Sequence, residues 1–230
     1  MHFIDTHAHV YAPELAEDIE IVIKNAKSTG IDKILMPAID SASLDAMLAM
    51  EQQFPGHCIA MMGLHPCYVK ENYKEELAIV EKWLSKRKFI AIGEIGLDFY
   101  WDKTFTQEQH LVFETQMQWA LDKQLPIVIH TRNAMGETIE AVKPFAKKGL
   151  RGVFHCFSGS KESAEQIIGM EFHLGLGGVL TYKNAGVAEA VKDIPMEYLV
   201  LETDAPYLPP VPYRGKTNEP AYMLEVAKKL

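Results

Sequence analysis

The 230-residue chain is 48% hydrophobic and 23% charged, which supports a large folded core and excludes a disordered chain. A formal net charge of −8 excludes sequence-blind adhesion to nucleic acid or anionic lipid through a broad basic face, but not a local cationic or metal-lined cleft. No apolar run reaches the roughly 18 to 20 residues of a membrane span, and Asp5 near the start opposes a secretory leader, so a cytoplasmic protein without membrane contact is expected.

In chain order, strand-like runs fall at 2–10, 32–39 (DKILMPAI), 58–65 (CIAMMGLH), 89–97 (FIAIGEIGL), 126–131 (PIVIHT), 151–157 (RGVFHCF), 173–178 (HLGLGG) and 198–204 (YLVLETD). Helical periods occupy 14–29, 41–53, 74–87, 104–123, 134–147 and 161–170, with a short, weak one around 186–192. Thr104 with Gln107 reads as a capping box, and Ser160 as the start of the sixth helix. Eight alternating units without a linker predict an α/β fold, a single (β/α)₈ barrel over residues 1–230. No G-x-G-x-x-G follows the first strand, so a dinucleotide-binding open sheet has no support. Cys58, Cys67 and Cys156 are odd in number and lack C-x-x-C spacing, which indicates neither a disulfide framework nor a thiolate zinc site.

Polar residues gather where the apolar runs end. Period-2 alternation puts Asp5, His7 and His9 on one strand face, and Glu94, His130, His155 and Asp204 each close a later run. The carboxyl-end rim is where barrel enzymes keep their chemistry. Four imidazoles and two carboxylates suit divalent metals and exceed the needs of one tetrahedral ion. A metal pair with Glu94 bridging is the economical arrangement, around a water that the ions would activate.

The motifs DTHAH (5–9), GLHP (63–66), GEIGLDFY (93–100), IHTR (129–132), HCFSG (155–159) and LETDAPYL (201–208) resemble, in order, those of the TatD-like metal-dependent deoxyribonucleases of the amidohydrolase superfamily. The resemblance runs from residue 4 to about residue 220. It implies a divalent-metal hydrolase of DNA phosphodiesters, commonly a 3′-to-5′ exonuclease preferring single strands. Carried over by motif, His7, His9, Glu94 and Asp204 would hold one ion, and Glu94, His130 and His155 the other. Members of that family usually continue a few turns beyond NEPAYMLEVAKKL, so a shortened last helix is expected.

Further roles follow from residue chemistry. Asp204 is the candidate to orient or deprotonate the water, with pure ligation as the alternative, and Glu94 joins it as a catalytic candidate. His65, at the end of the third strand, is assigned to the scissile phosphate or the leaving oxygen. Arg132 suits bidentate phosphate contact, and Arg214 is a weaker candidate for the same work. The Ser158-Gly159-Ser160 turn opens a helix that could receive another phosphate or simply be capped. Tyr100, with Phe99, Trp101, Tyr68, Phe157 and Tyr207, is a candidate to stack unpaired bases. Asp5 and Glu202 are candidates to fix ligand imidazoles from below or to make simple buried hydrogen bonds.

The cofactors expected are two divalent ions, with zinc, manganese and magnesium all compatible with the ligands. The partner expected is single-stranded DNA, and no obligate protein partner is evident. Two other readings compete: cleavage of a small-molecule amide, ester or lactone with the same metals, and a non-enzymatic barrel that stores metal or docks a partner. Arg132, His65 and the aromatic loops favour a polyanionic, base-bearing substrate over either.

Overall fold

A computed structural model describes residues 2–230. The parallel strands are β1 (Phe3–Asp5), β2 (Ile31–Pro37), β3 (Cys58–Met61), β4 (Ile92–Asp98), β5 (Ile127–Arg132), β6 (Gly152–Phe154), β7 (His173–Leu176) and β8 (Leu199–Leu201). The α-helices between and after them are α1 (Pro13–Ala16), α2 (Ile19–Ser28), α3 (Leu44–Gln53), α4 (Tyr73–Lys86), α5 (Thr106–Lys123), α6 (Met135–Ala146), α7 (Lys161–Gly169), α8 (Val187–Val191) and α9 (Met223–Lys229). This is the (β/α)₈ barrel expected from the alternating pattern. The regular ladder runs as β1-β2-β3 and β4-β5-β6-β7-β8. Isolated bonds span the two seams: Gly93 N to Met62 O (3.0 Å) between β3 and β4, and Thr6 N to Leu201 O (3.1 Å) between β8 and β1.

Each strand is half of an apolar layer, so the core forms where strand faces meet the helices. Met36, Met62, Ile92, Ile95, Ile129, Phe154 and Leu174 are fully buried in one continuous cluster. Helix α2 adds Val22, Ile23 and Ala26 on a single face, as an amphipathic helix requires. Gly96 lies where β4 and β5 come closest, and a Cβ there would meet the His130 carbonyl oxygen at 1.9 Å. No larger residue fits.

Several strand candidates ran too far toward the rim. The first, 2–10, stops at Asp5; 58–65 stops at Met61; 198–204 stops at Leu201. Past these ends the regular ladder gives way to single backbone bonds, such as Ala8 N to Leu35 O (3.1 Å) and Glu202 N to Leu176 O (3.1 Å), interspersed with side-chain partners. The Gln116 side chain accepts from Leu64 N (2.7 Å) and donates to Leu64 O (3.1 Å), and Gln109 does the same for Asp98 (2.9 and 3.1 Å). Both glutamines are buried and stand seven residues apart on α5, two turns along one face. Helix α5 thereby holds the rim ends of two strands.

Two helix expectations also change. The run 14–29 is split into α1 and α2 around Glu17 and Asp18. Thr104 does not cap α5, because its own N–H is held by the Asp102 carboxylate (2.9 Å) and the helix starts two residues later.

Gln116→Leu keeps the volume but strands the buried amide and carbonyl of Leu64. A loss of about 2–4 kcal/mol is expected for two such orphaned groups, read from urea-unfolding midpoints.

Candidate metal centre

The centre is built on Glu94, in a strand whose seven residues are all buried. The Glu94 side chain is 2% exposed, and its two oxygens face different imidazoles. Oε1 lies 2.8 Å from His155 Nε2, 2.9 Å from His130 Nδ1 and 3.3 Å from His65 Nε2. Oε2 lies 3.2 Å from His7 Nε2 and 3.4 Å from His9 Nε2. Asp204, turned inward by a left-handed residue just past β8, places Oδ1 3.7 Å from both of the latter nitrogens.

Two donor sets therefore share one carboxylate: His7, His9 and Glu94 with Asp204 alongside, and Glu94, His130 and His155. Donors about 2.1 Å from a common tetrahedral ion stand roughly 3.4 Å apart. The spacings within the first set run from 3.2 to 3.7 Å, so the residues present fit a divalent cation.

Proton positions support the same fit. The Tyr11 hydroxyl donates to Pro37 O (2.6 Å), so it accepts from His9 Nδ1 (2.9 Å). That fixes the His9 proton outside and leaves the Nε2 lone pair inside. His130 Nε2 meets Asp98 Oδ2 at 2.8 Å, which turns Nδ1 inward. His155 Nδ1 faces Glu202 Oε1 at 3.6 Å, and Gly175 makes room, since a Cβ there would meet Glu202 Oε2 at 2.3 Å. His7 Nε2 and His9 Nε2 are 3.2 Å apart, a repulsive approach of lone pairs unless a cation or proton lies between them.

His65 differs from the other four. Its Nδ1 accepts from Cys67 N–H (3.0 Å), and burial pushes its pKa down to about 4. The neutral ring thus carries its proton on Nε2, the inward nitrogen, and presents a donor where His9 presents a lone pair.

Burial sets the remaining charges. It pushes the Asp204 carboxyl up to about 6, against the pull of His155 and His9. Burial also acts to raise Glu94, but His155, His65 and His7 outweigh it and hold the carboxyl well below its ordinary value.

Asp5 does not touch the His7 ring. It accepts from His7 N (3.2 Å), Thr203 N (3.0 Å) and the Thr203 hydroxyl (2.5 Å), tying the rim ends of β1 and β8 together. Glu202 accepts from Cys156 N–H while facing His155. The Arg132 guanidinium lies over Tyr100, 3.8 Å from its centroid, and that of Arg214 over Tyr182 at 3.9 Å. Ser158 is exposed and Gly159 packs against the Phe157 ring, while Ser160 caps α7 through Ser163 N (3.3 Å). Among the described residues, none of the three hydrogen-bonds to the central cluster. Phe157 is 2% exposed, so it belongs to the core and offers no stacking face, whereas Tyr100 is 50% exposed. Reading strand ends alone missed Tyr11, Asp98, Gln109 and Gln116. Asp98 had a signal, since the alternation that includes Glu94 reaches it four residues later.

A parallel barrel whose carboxyl-end rim gathers imidazoles around a shared carboxylate is the architecture of a metal-dependent hydrolase. The TatD related DNase family model matches residues 4–230, and the chain belongs to that family. An uncharacterized metal-dependent hydrolase of Bacillus subtilis, YabD, is 37% identical over 98% of this chain and 89% of its own length. YjjV of Escherichia coli, also an uncharacterized metal-dependent hydrolase, is 31% identical over 95% of this chain and 85% of its own. The crystal structure of YjjV, described as a TatD homologue, superposes with a TM-score of 0.92 over 99% of this chain and 88% of that one, at 30% identity. A TatD family hydrolase from Entamoeba histolytica shares the fold with a TM-score of 0.82 at 23% identity, over 100% of this chain and 90% of its own. This chain is accordingly a metal-dependent hydrolase.

Tyr11→Phe and Asp98→Asn each remove or weaken the group that fixes the tautomer of a ligand imidazole. Each is expected to weaken divalent-metal binding about 10- to 100-fold by calorimetry. The loss in Tyr11→Phe should fall on the set containing His9, and in Asp98→Asn on the set containing His130.

Proposed function

We propose that the protein is a deoxyribonuclease that hydrolyses phosphodiester bonds of DNA, as a 3′-to-5′ exonuclease preferring single strands. We also propose that it works in the cytoplasm without an obligate protein partner. The observation that carries this reading is the pairing of two donor sets on Glu94 with one imidazole, His65, whose inward nitrogen holds a proton. A phosphodiester is negatively charged and slow to cleave, so its cleavage needs both charge neutralisation and a strong nucleophile. A divalent ion held by each set would supply both charge neutralisation and an activated water.

His7, His9 and Asp204 would hold the first ion, His130 and His155 the second, and Glu94 both. Asp204 has a further role open to it, as the carboxylate that orients or deprotonates the attacking water. His65 Nε2–H, 3.3 Å from Glu94 Oε1, would donate to an anionic oxygen of the scissile phosphate or to the departing oxygen. The same metals could open an amide, ester or lactone of a small molecule. The exposed Arg132 and Tyr100 beside the centre favour a polyanionic substrate instead.

The test uses 5′-labelled single-stranded DNA with chelated protein, to which zinc, manganese or magnesium is added back. Cleavage should return with metal, shorten the labelled strand stepwise, and vanish in His7→Ala combined with His9→Ala. Release of the label as a first product would reverse the polarity. Undiminished cleavage by the double variant, or none by the native chain with any of these metals, would overturn the assignment.

A further inference from the structure

The chain has four arginines, Arg87, Arg132, Arg151 and Arg214. Arg87 is paired with Glu51 and Arg151 with Glu171. Among the described residues, neither Arg132 nor Arg214 has a carboxylate within salt-bridge distance, although the chain carries 31 acidic residues. Each of the two instead sits over a tyrosine ring, with its guanidinium carbon 3.8 Å from the Tyr100 centroid for Arg132 and 3.9 Å from the Tyr182 centroid for Arg214. A stacked guanidinium keeps its in-plane N–H groups free for an anion.

Both stacks stand at the mouth, but on different sides of it. Arg132 ends β5, two residues beyond His130, and Tyr100 follows β4. The Asp98 carboxylate that fixes His130 also accepts from Tyr100 N (2.9 Å) and Trp101 N (3.1 Å), so this ledge is anchored to the second donor set. Trp101, 68% exposed, extends it at 5.1 Å from the guanidinium. Tyr182 follows β7 and Arg214 follows β8, in two loops joined by Tyr182 OH to Pro209 O (2.9 Å) and Val211 N to the Thr181 hydroxyl (2.9 Å). In this second post, Arg214 lies in the loop after β8 that also carries Asp204 of the first donor set. In the order of the strands, three of eight positions separate the two posts around the ring.

We propose that the two posts are nucleotide subsites on opposite sides of the scissile bond, each gripping one phosphate with an arginine edge and offering an aromatic face to one unpaired base. The proposal rests on the deoxyribonuclease reading and adds that binding is two-sided. A substrate chain would cross the mouth from the Tyr100–Arg132 ledge to the Tyr182–Arg214 post. Paired bases cannot stack on such faces, so the geometry selects single strands or frayed ends.

The test measures binding apart from cleavage. A fluorescent, cleavage-resistant phosphorothioate oligothymidylate is titrated with manganese-loaded protein and read by anisotropy. Arg132→Ala and Arg214→Ala should each raise Kd roughly tenfold and lower the salt slope by about 0.7, the value of one phosphate contact on a single strand. A single abasic nucleotide placed at either flank should weaken binding to the native protein from both positions. Arg132→Ala and Tyr100→Ala should lose sensitivity to one flank only, and Arg214→Ala to the other only. An unchanged Kd in either arginine variant, or both variants losing the same flank, overturns the two-sided site. Cleavage of DNA with unchanged binding in these variants would leave the nuclease reading standing without the posts. Two-sided binding without cleavage under any metal would leave the posts standing and remove the nuclease reading.

Discussion

One buried carboxylate organises this molecule. Glu94 has five imidazole nitrogens within 3.4 Å, three at one oxygen and two at the other. Burial alone would favour its neutral form, and the surrounding rings reverse that preference. An anion this deep is tolerable only when charge and hydrogen bonds answer it from every side. Tyr11 and Asp98 hold the outer nitrogens of His9 and His130 by hydrogen bonds, and the Glu202 carboxylate faces that of His155.

The same requirement explains why the strands stop short of the rim. A residue aimed at the barrel axis needs its backbone rotated away from the ladder, and its amide must then find another partner. Asp5 serves the amides of His7 and Thr203, Gln116 serves Leu64, and Gln109 serves Asp98. These side chains are buried and bind backbone, and they set where His7, His65 and Asp98 point. Site precision in this fold rests on buried polar groups that bind backbone.

Alternating apolar runs made the eight βα units legible, because the strands are rich in apolar residues, with β4 buried throughout, while helices such as α2 bury one face. The six ligand-type residues were legible for a related reason: imidazole or carboxylate at the end of an apolar run conflicts with burial unless something pairs with it. What was hidden depends on contacts between distant residues. Thr104 looked like a cap until Asp102 took its amide, and Phe157 looked like a loop aromatic until the core claimed it. The difference between His65 and His9 lies below residue identity altogether. One ring accepts from a backbone N–H and the other donates to a hydroxyl, which puts their protons on opposite nitrogens.

Charge distribution links this centre to the surface around it. A chain with net charge −8 repels a polyanion at long range, so attraction must be concentrated where the substrate is to be held. Screening limits the general repulsion to roughly 8–10 Å at physiological salt, a distance within which a few fixed cations can prevail. Carboxylates neutralise two of the four arginines, while tyrosine faces orient the other two without neutralising them. A tyrosine partner holds the guanidinium in place and leaves its full charge available, whereas a carboxylate partner would have cancelled it. On the proposed deoxyribonuclease reading, an acidic protein would thus admit phosphates to its centre and repel them elsewhere.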